Sequence, residues 1–216
     1  MGKLEGCLVG TVEIELKDKD GKIILKKKFR SKSFVANFLR IINLYMKTQG
    51  LTSYSTLYAT AFSAGVKNHS GTAVNTVIAS AYSDKPAPIL FVAAPSSEAN
   101  YGIRVGSGSS TPTPTDYNLA SPIAHGTGSG QLVYGSVSVE DVIIDGNTVY
   151  FRIIRTFSNS SGATVTVREI GLSMRTWVAL WNTWDYVLLA RDVLSSSVDV
   201  PNGATLTVRY ILSTTT

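Results

Sequence analysis

The sequence predicts an all-β protein, a β-sandwich of jelly-roll type with one amphipathic helix near its N-terminus. Three observations predict it. Short runs of alternating apolar and polar residues recur from Tyr101 to Leu212, broken by turn residues every eight to twelve positions, as in sandwiches and jelly rolls. Only one segment repeats with a helical period, so the helices that would carry the crossovers of a parallel sheet are missing. The 216 residues, 44% of them apolar, suffice for one large β domain or two small ones with a buried core.

The first element is a hairpin. Leu8, Gly10, Val12, Ile14 and Leu16 fall on one face and Thr11, Glu13, Glu15 and Lys17 on the other, the period of a half-buried strand. Lys17 to Lys22 turns, with Gly21 able to take a positive φ, and Ile23, Leu25 and Phe29 alternate on the return. The helix follows. Ser33 is placed to cap it; Phe34, Phe38, Ile41, Ile42 and Tyr45 form the apolar stripe, widened by Val35, Leu39 and Met46; Gly50 ends it. So wide a stripe implies a sheet or another subunit against it. Residues 51–64 show no clean period. Thr72–Tyr82 and Pro88–Ala94 read as strands and Pro95–Asn100 as a loop.

From Tyr101 the pattern sharpens. Tyr101, Ile103 and Val105 alternate, and Gly106–Asp116 is a Gly/Ser/Thr/Pro loop, followed by a second glycine-rich loop at His125–Gly130. Val133–Ile144 reads as one strand, with a hairpin turn at Asp145-Gly146-Asn147 and a return along Val149, Phe151, Ile153, Arg155 and Phe157. Asn159–Gly162 turns into Val165–Ile170. An aromatic insertion at 176–185 precedes a strand at Tyr186–Arg191, and Pro201-Asn202-Gly203 turns into the last strand, Leu206–Leu212. The organisation is a basic hairpin plus helix at 1–50, packed on or extending from a sandwich body at 51–216.

Charge is sparse and unevenly spread. Charged residues make up 16% of the chain, against about a quarter in ordinary globular proteins. Small hydroxyl residues replace them, and such a surface is cheap to desolvate against a neighbour; a secreted or heat-stable β protein has the same look. Residues 1–50 hold 11 Lys or Arg against 5 Asp or Glu, whereas the remainder holds 9 against 10. A single cysteine, Cys7, excludes an intrachain disulfide and reads as a small buried residue of the first strand. The chain opens without an apolar run of signal-peptide length and has no window of about 18 apolar residues, so the expectation is a protein made soluble in the cytoplasm with no membrane span.

Chemistry is hard to find. His69 and His125 lie apart in Gly/Ser-rich stretches, without a Gly-x-Ser-x-Gly elbow before a helix. One Cys and two His do not build a standard zinc site without carboxylates, and nothing around Asp141 and Asp145 has the spacing of a calcium loop. The glycine-rich loops precede strands, whereas a phosphate loop precedes a helix; flexible or tight inter-strand turns account for them. The expectation is therefore no enzyme, no cofactor and no metal. Lys26, Lys27, Lys28, Arg30 and Lys32 form a cluster suited to a weak, salt-dependent contact with nucleic acid or to an anionic subunit; lysines guarding an edge strand from aggregation give the same pattern. Trp177, Trp181 and Trp184, with Phe34, Phe38 and Tyr45 of the helix, are the candidate interface residues. The tryptophans also fit a cap on the sandwich end or, with few amides and carboxylates around them, a sugar platform. Glu169 and Arg191 stand on strands that otherwise bury apolar residues, so they are expected to pair with each other or with Arg155.

One resemblance carries further. The stretch from Tyr101-Gly-Ile-Arg-Val-Gly-Ser-Gly to Ser121-Pro-Ile123 is followed by Arg155-Thr-Phe-Ser-Asn-Ser-Ser-Gly162 and Val165-Thr-Val-Arg-Glu-Ile-Gly-Leu172. Leu188-Leu-Ala-Arg-Asp-Val-Leu194 and Val200-Pro-Asn-Gly-Ala-Thr-Leu-Thr-Val-Arg-Tyr210 close the series. This order resembles a loosely defined group of proteins from the structural modules of tailed phages and archaeal viruses, and Arg30–Leu39 is similar to an N-terminal element of that group. The resemblance covers roughly two thirds of the chain and leaves out residues 51–100 and the tryptophan-rich segment. It implies a virion component, in capsid, vertex, decoration or tail, whose partners are copies of itself and other virion proteins. A tail, baseplate or receptor-binding module that holds a glycan or host receptor on its tryptophans is the alternative.

Overall fold

The structure, a computed structural model, describes residues 8–31, 34–47, 66–74, 91–178 and 183–215, with the backbone alone for 43–47, 177 and 178. Cys7, Lys32, Ser33, Gly50, Trp181, residues 51–65 and most of the two strands expected at 72–94 lie outside the described residues, as do the side chains of Tyr45, Met46 and Trp177.

The described chain is all-β, with one helix and antiparallel sheets throughout. The strands are β1 (Val9–Lys17), β2 (Ile23–Arg30), β3 (Val66–Lys67), β4 (Ala73–Val74), β5 (Gly102–Gly106), β6 (Val133–Val139), β7 (Ile143–Asp145), β8 (Thr148–Ser158), β9 (Val165–Val178), β10 (Thr183–Val200) and β11 (Thr205–Thr215); the helix is α1 (Ala36–Lys47). The larger sheet runs β2-β1-β11-β8-β6, with β7 beside β6 on β8; the second runs β10-β9-β5, and β3 and β4 form a small hairpin. The basic front is thus part of the larger sheet, because β1 lies between β2 and β11.

The alternation read in the sequence sets the core. Val12, Ile14 and Leu16 of β1, Leu206, Val208 and Tyr210 of β11, and Ile153 and Phe157 of β8 are buried in one cluster with Ile103, Val105, Val167, Ile170, Leu172, Met174, Val187 and Leu189 from the second sheet. Each such aliphatic or aromatic side chain contributes about 1.5–3 kcal/mol by leaving water. Leu8, expected on the buried face, is instead exposed at the strand's start.

Several elements differ from expectation, each for a local reason. The helix begins at Ala36 rather than Phe34, because the Phe34 backbone bridges to Ala190 and the Val35 amide donates to the Leu189 carbonyl. Val133–Ile144 is two strands: residues 140–142 stand opposite only 151–152 of β8, and the surplus residue breaks the ladder as a bulge does. Of Pro88–Ala94, the described part forms no strand: Phe91 bridges to Arg175, and the Ala94 carbonyl accepts from the Val137 amide. The segment 176–185 is not an insertion, since β9 and β10 stay paired through Trp177 opposite Trp184 to Val178 opposite Thr183. Gly146, Gly162 and Gly203 take the positive φ their hairpin turns demand.

Candidate functional site

The most elaborate polar site lies on the face of β9 and β10 that carries Glu169 and Arg191. Val193 is opposite Glu169 and Arg191 is opposite Gly171, so Glu169 and Arg191 are diagonal neighbours on one face. Glu169 is 0% exposed and Arg191 2%. Arg191 Nε donates to Glu169 Oε2 at 2.7 Å, and Arg191 Nη1 donates to Asp116 Oδ2 at 2.7 Å. Its Nη2 donates to the carbonyl and hydroxyl oxygens of Ser110, both at 3.0 Å.

The loop at 107–121 closes over this pair. Its base is held by the Ser107 amide on the Ser121 carbonyl and by a bridge between Gly106 and Pro122. Three of its amides converge on the buried carboxylate: Gly108 N at 3.1 Å and Ser121 N at 2.7 Å donate to Oε1, and Ala120 N at 3.1 Å to Oε2. Gly106 and Gly108 are needed because a Cβ at either would meet Glu169 Oε1. Gly106 and Gly108, read as part of a flexible or tight inter-strand turn, form a close seat, and the anion their loop cradles is the protein's own glutamate. Burial works to raise the Asp116 carboxyl, but hydrogen bonds from Thr113 and Arg191 hold it below its ordinary value. Burial works to lower Arg191, and its bonds to Asp116 and Glu169 hold it above.

Arg155 does not join them. It is 1% exposed and donates to five carbonyls: Gly135 from Nε at 2.8 Å, Tyr101 and Ile103 from Nη1 at 3.0 and 2.9 Å, and Pro95 and Glu98 from Nη2. Its guanidinium lies 4.7 Å from the Tyr134 ring centroid. It has no ion pair among the described residues; carbonyl dipoles and a ring face replace the carboxylate expected from sequence. Burial pushes it down to about 10, with the Tyr134 phenol opposing.

Both histidines are engaged by neighbouring groups. His69 Nε2 lies 3.2 Å from Ser173 Oγ, and both ring nitrogens are 3.3 Å from Arg104 Nη1. A catalytic triad has a carboxylate where this arrangement has a cation. Burial and the Arg104 charge push His69 down to about 3, so it is neutral and a poor base at pH 7. His125 Nδ1 accepts from the Tyr134 amide at 3.1 Å. No group of three His, Cys, Asp or Glu is placed to hold a metal ion among the described residues, and no helix among them is long and apolar enough to cross a membrane.

The expected interface residues are spread out. Phe38 is buried and stacks on half-buried Phe34 with centroids 4.5 Å apart, so both rings pack inside this chain; among the described side chains of the helix, Leu39 is an exposed apolar residue. Trp184 is half-buried, its ring 4.4 Å from the Arg175 guanidinium, which also faces Phe91 at 4.9 Å and Tyr101 at 5.2 Å. The basic cluster is largely compensated. Lys26 pairs with Glu15 at 3.3 Å, Lys28 with Glu13 at 2.9 Å, and Lys27 donates to the Ser196 carbonyl at 2.9 Å and hydroxyl at 2.7 Å. Glu13 and Glu15, directly across from these lysines in the alternating pattern, were the sequence signal for that compensation.

No protein-family model, curated protein or solved structure matches this chain.

Proposed function

We propose that this chain is a non-enzymatic structural subunit of a tailed-phage or archaeal-virus particle, a β-sandwich with jelly-roll-type crossings that packs against copies of itself and other virion proteins. The observation that carries the reading joins the resemblance to the fold. The phrases of that resemblance are the ones that build the buried framework: 101–123 supplies the loop, 165–172 supplies Glu169, and 188–194 supplies Arg191. A phrase order held together by one charge network is a unit of structure rather than a scatter of similar words. The jelly-roll element of the proposal rests on the passages from β8 to β9 and from β10 to β11, which cross between the two sheets; β1–β2, β7–β8 and β9–β10 are hairpins within a sheet and depart from a strict jelly roll. The commitment of Trp184 to Arg175 and of three clustered lysines to internal partners favours neither a sugar platform nor a nucleic-acid groove.

Electron microscopy of the purified chain beside intact particles tests the proposal. Rings, shells or lattices of the subunit are the expected result. A monodisperse monomer at every concentration, never incorporated into a particle, overturns it.

A further inference from the structure

The two edges of the larger sheet are unlike. At one end, the β7–β8 hairpin exposes Val142 (63%) and Ile144 (76%), the latter being the most exposed large apolar side chain among the described residues. Asp141 and Asp145 flank them and have no ion pair among the described residues, whereas Glu140 is neutralised by Arg152 at 3.0 Å. The hairpin forms a knob, turned at Asp145-Gly146-Asn147 and paired on β8 from Ile143 to Asp145. Val142 and Ile144, two positions apart and rimmed by Asp141 and Asp145, make an apolar pair with a polar border, the kind of surface that marks an interaction site.

At the other end lies a cleft of about 290 Å³. Between Val193, opposite Glu169, and Val198, opposite Val167, residues 194–197 of β10 stand against the single residue Arg168 and loop outward. Lys27 of β2 fixes this bulge through Ser196 and Ser197. Phe29, Pro112, Val193 and Leu194 give the cleft apolar walls, and Lys27 and exposed Arg30 give it a positive side. Asp192, which also lines the cleft, is 4% exposed and accepts from Ser31 Oγ at 2.7 Å and Tyr210 OH at 3.2 Å. Arg30 has no carboxylate partner among the described residues.

We propose that the β7–β8 hairpin of one copy seats in the β2–β10 cleft of another, with Ile144 against Phe29 and Leu194 and with Asp141 or Asp145 on Arg30. The occupant is a second copy because this chain carries both the acidic apolar knob and a basic apolar socket that complements it. Knob and socket stand on opposite edges of the sheet, β7 beyond β8 and β2 beyond β1, so the two cannot meet within a chain and the contact is heterologous. Such a contact repeats from copy to copy, closing into a ring or extending as a filament. The inference rests on the self-assembly reading above and names the surface that performs it.

Sedimentation velocity and electron microscopy on the full chain test it. Ile144→Asp and Arg30→Asp change exposed side chains, and an unchanged melting temperature shows that each variant folds. Each is expected to raise the concentration needed for assembly at least thirtyfold, about the loss of one interface hot spot. Mixed one to one, the variants retain a single working junction, knob from Arg30→Asp and socket from Ile144→Asp, and so form pairs and nothing longer. Assembly of both variants at the wild-type threshold overturns this contact and leaves self-assembly standing. Folded variants that stay monomeric when mixed overturn the head-to-tail arrangement. A wild-type chain that stays monomeric at every concentration overturns the self-assembly reading itself.

Discussion

Replacing Glu169 by alanine removes the centre of the buried framework. Four donors lose their acceptor at once: Arg191 Nε and the amides of Gly108, Ala120 and Ser121. Breaking a buried ion pair from one side costs about 3–5 kcal/mol, because the remaining charge stays behind without compensation. Arg191 keeps Asp116, which softens that loss, but each orphaned amide adds about 1–3 kcal/mol where water cannot reach it. The terms overlap, since the loop at 107–121 can lift and hydrate its amides. About 4 kcal/mol is the expected net loss, a large share of the roughly 5–15 kcal/mol that holds a domain together. For a chain of this length it lowers the melting temperature by about 8–16 °C. Urea denaturation followed by tryptophan fluorescence and circular dichroism reads it directly. The double variant Glu169→Ala/Arg191→Ala is expected to lose less than the sum of the two single variants, because removing both charges leaves neither stranded. A Glu169→Ala protein within about 1 kcal/mol of wild type refutes the reasoning.

Three further outcomes are expected. Gly108→Ala, which pushes a methyl into Glu169 Oε1, destabilises by about 1–3 kcal/mol, whereas Gly130→Ala meets no atom within 4 Å and suffers only the strain of its positive φ, so denaturant midpoints separate crowding from backbone strain. The pH dependence has two components with worked signs. Asp116 is held below its ordinary value in the fold, so its contribution is present above about pH 4 and is lost as pH falls through the folded value; His69 is neutral in the fold and protonates more readily when unfolded, so stability is complete above about pH 6.5 and declines from there towards 3. Denaturant midpoints measured from pH 3 to 8 check both, with His69→Asn expected to flatten the upper range and Asp116→Asn the lower. Lys26→Ala and Lys28→Ala each shift stability by less than about 1 kcal/mol, since these are exposed surface pairs, and a loss several times larger by thermal melting contradicts that assignment.

The sequence announced strands wherever one face alone is buried. β1, β8 and β11 alternate because solvent lies on their other side, and their periods were readable residue by residue. It was least informative where both faces are covered. All five residues of β5 are buried, and from Glu169 to Met174 every residue of β9 is buried, so polarity ceases to mark direction there. The pairing of Glu169 with Arg191 could be anticipated because two charges on apolar strands need company. Asp116 could not, since it reaches Arg191 across 75 residues of chain from a loop without periodicity. Arg155 misled for a physical reason: a guanidinium has five donors, and enough carbonyls satisfy it as well as a carboxylate does. The knob at Ile144 looked like the end of a strand until the surplus residue at 140–142 turned it outward.

Three buried or half-buried arginines show one device used three ways. Arg191 is held by carboxylates, Arg155 by carbonyls and Arg175 by the faces of Phe91, Tyr101 and Trp184, its Nε without a hydrogen-bond partner among the described residues. Each stands on a strand, β8, β9 or β10, and each draws an irregular segment onto it: 107–121 for Arg191, 95–101 for Arg155 and the chain at Phe91 for Arg175. The chain has one cysteine and no crosslink to fix these loops, and a guanidinium offers several directed contacts from a single side chain. Every cation beyond Lys85 is an arginine, and these three use that side chain to pin a segment. A lysine at 155 would offer three donors from one point and could not span Gly135 on one side and Glu98 on the other. In a chain without a crosslink, the directed contacts of a buried guanidinium therefore hold a loop against the strand beside it.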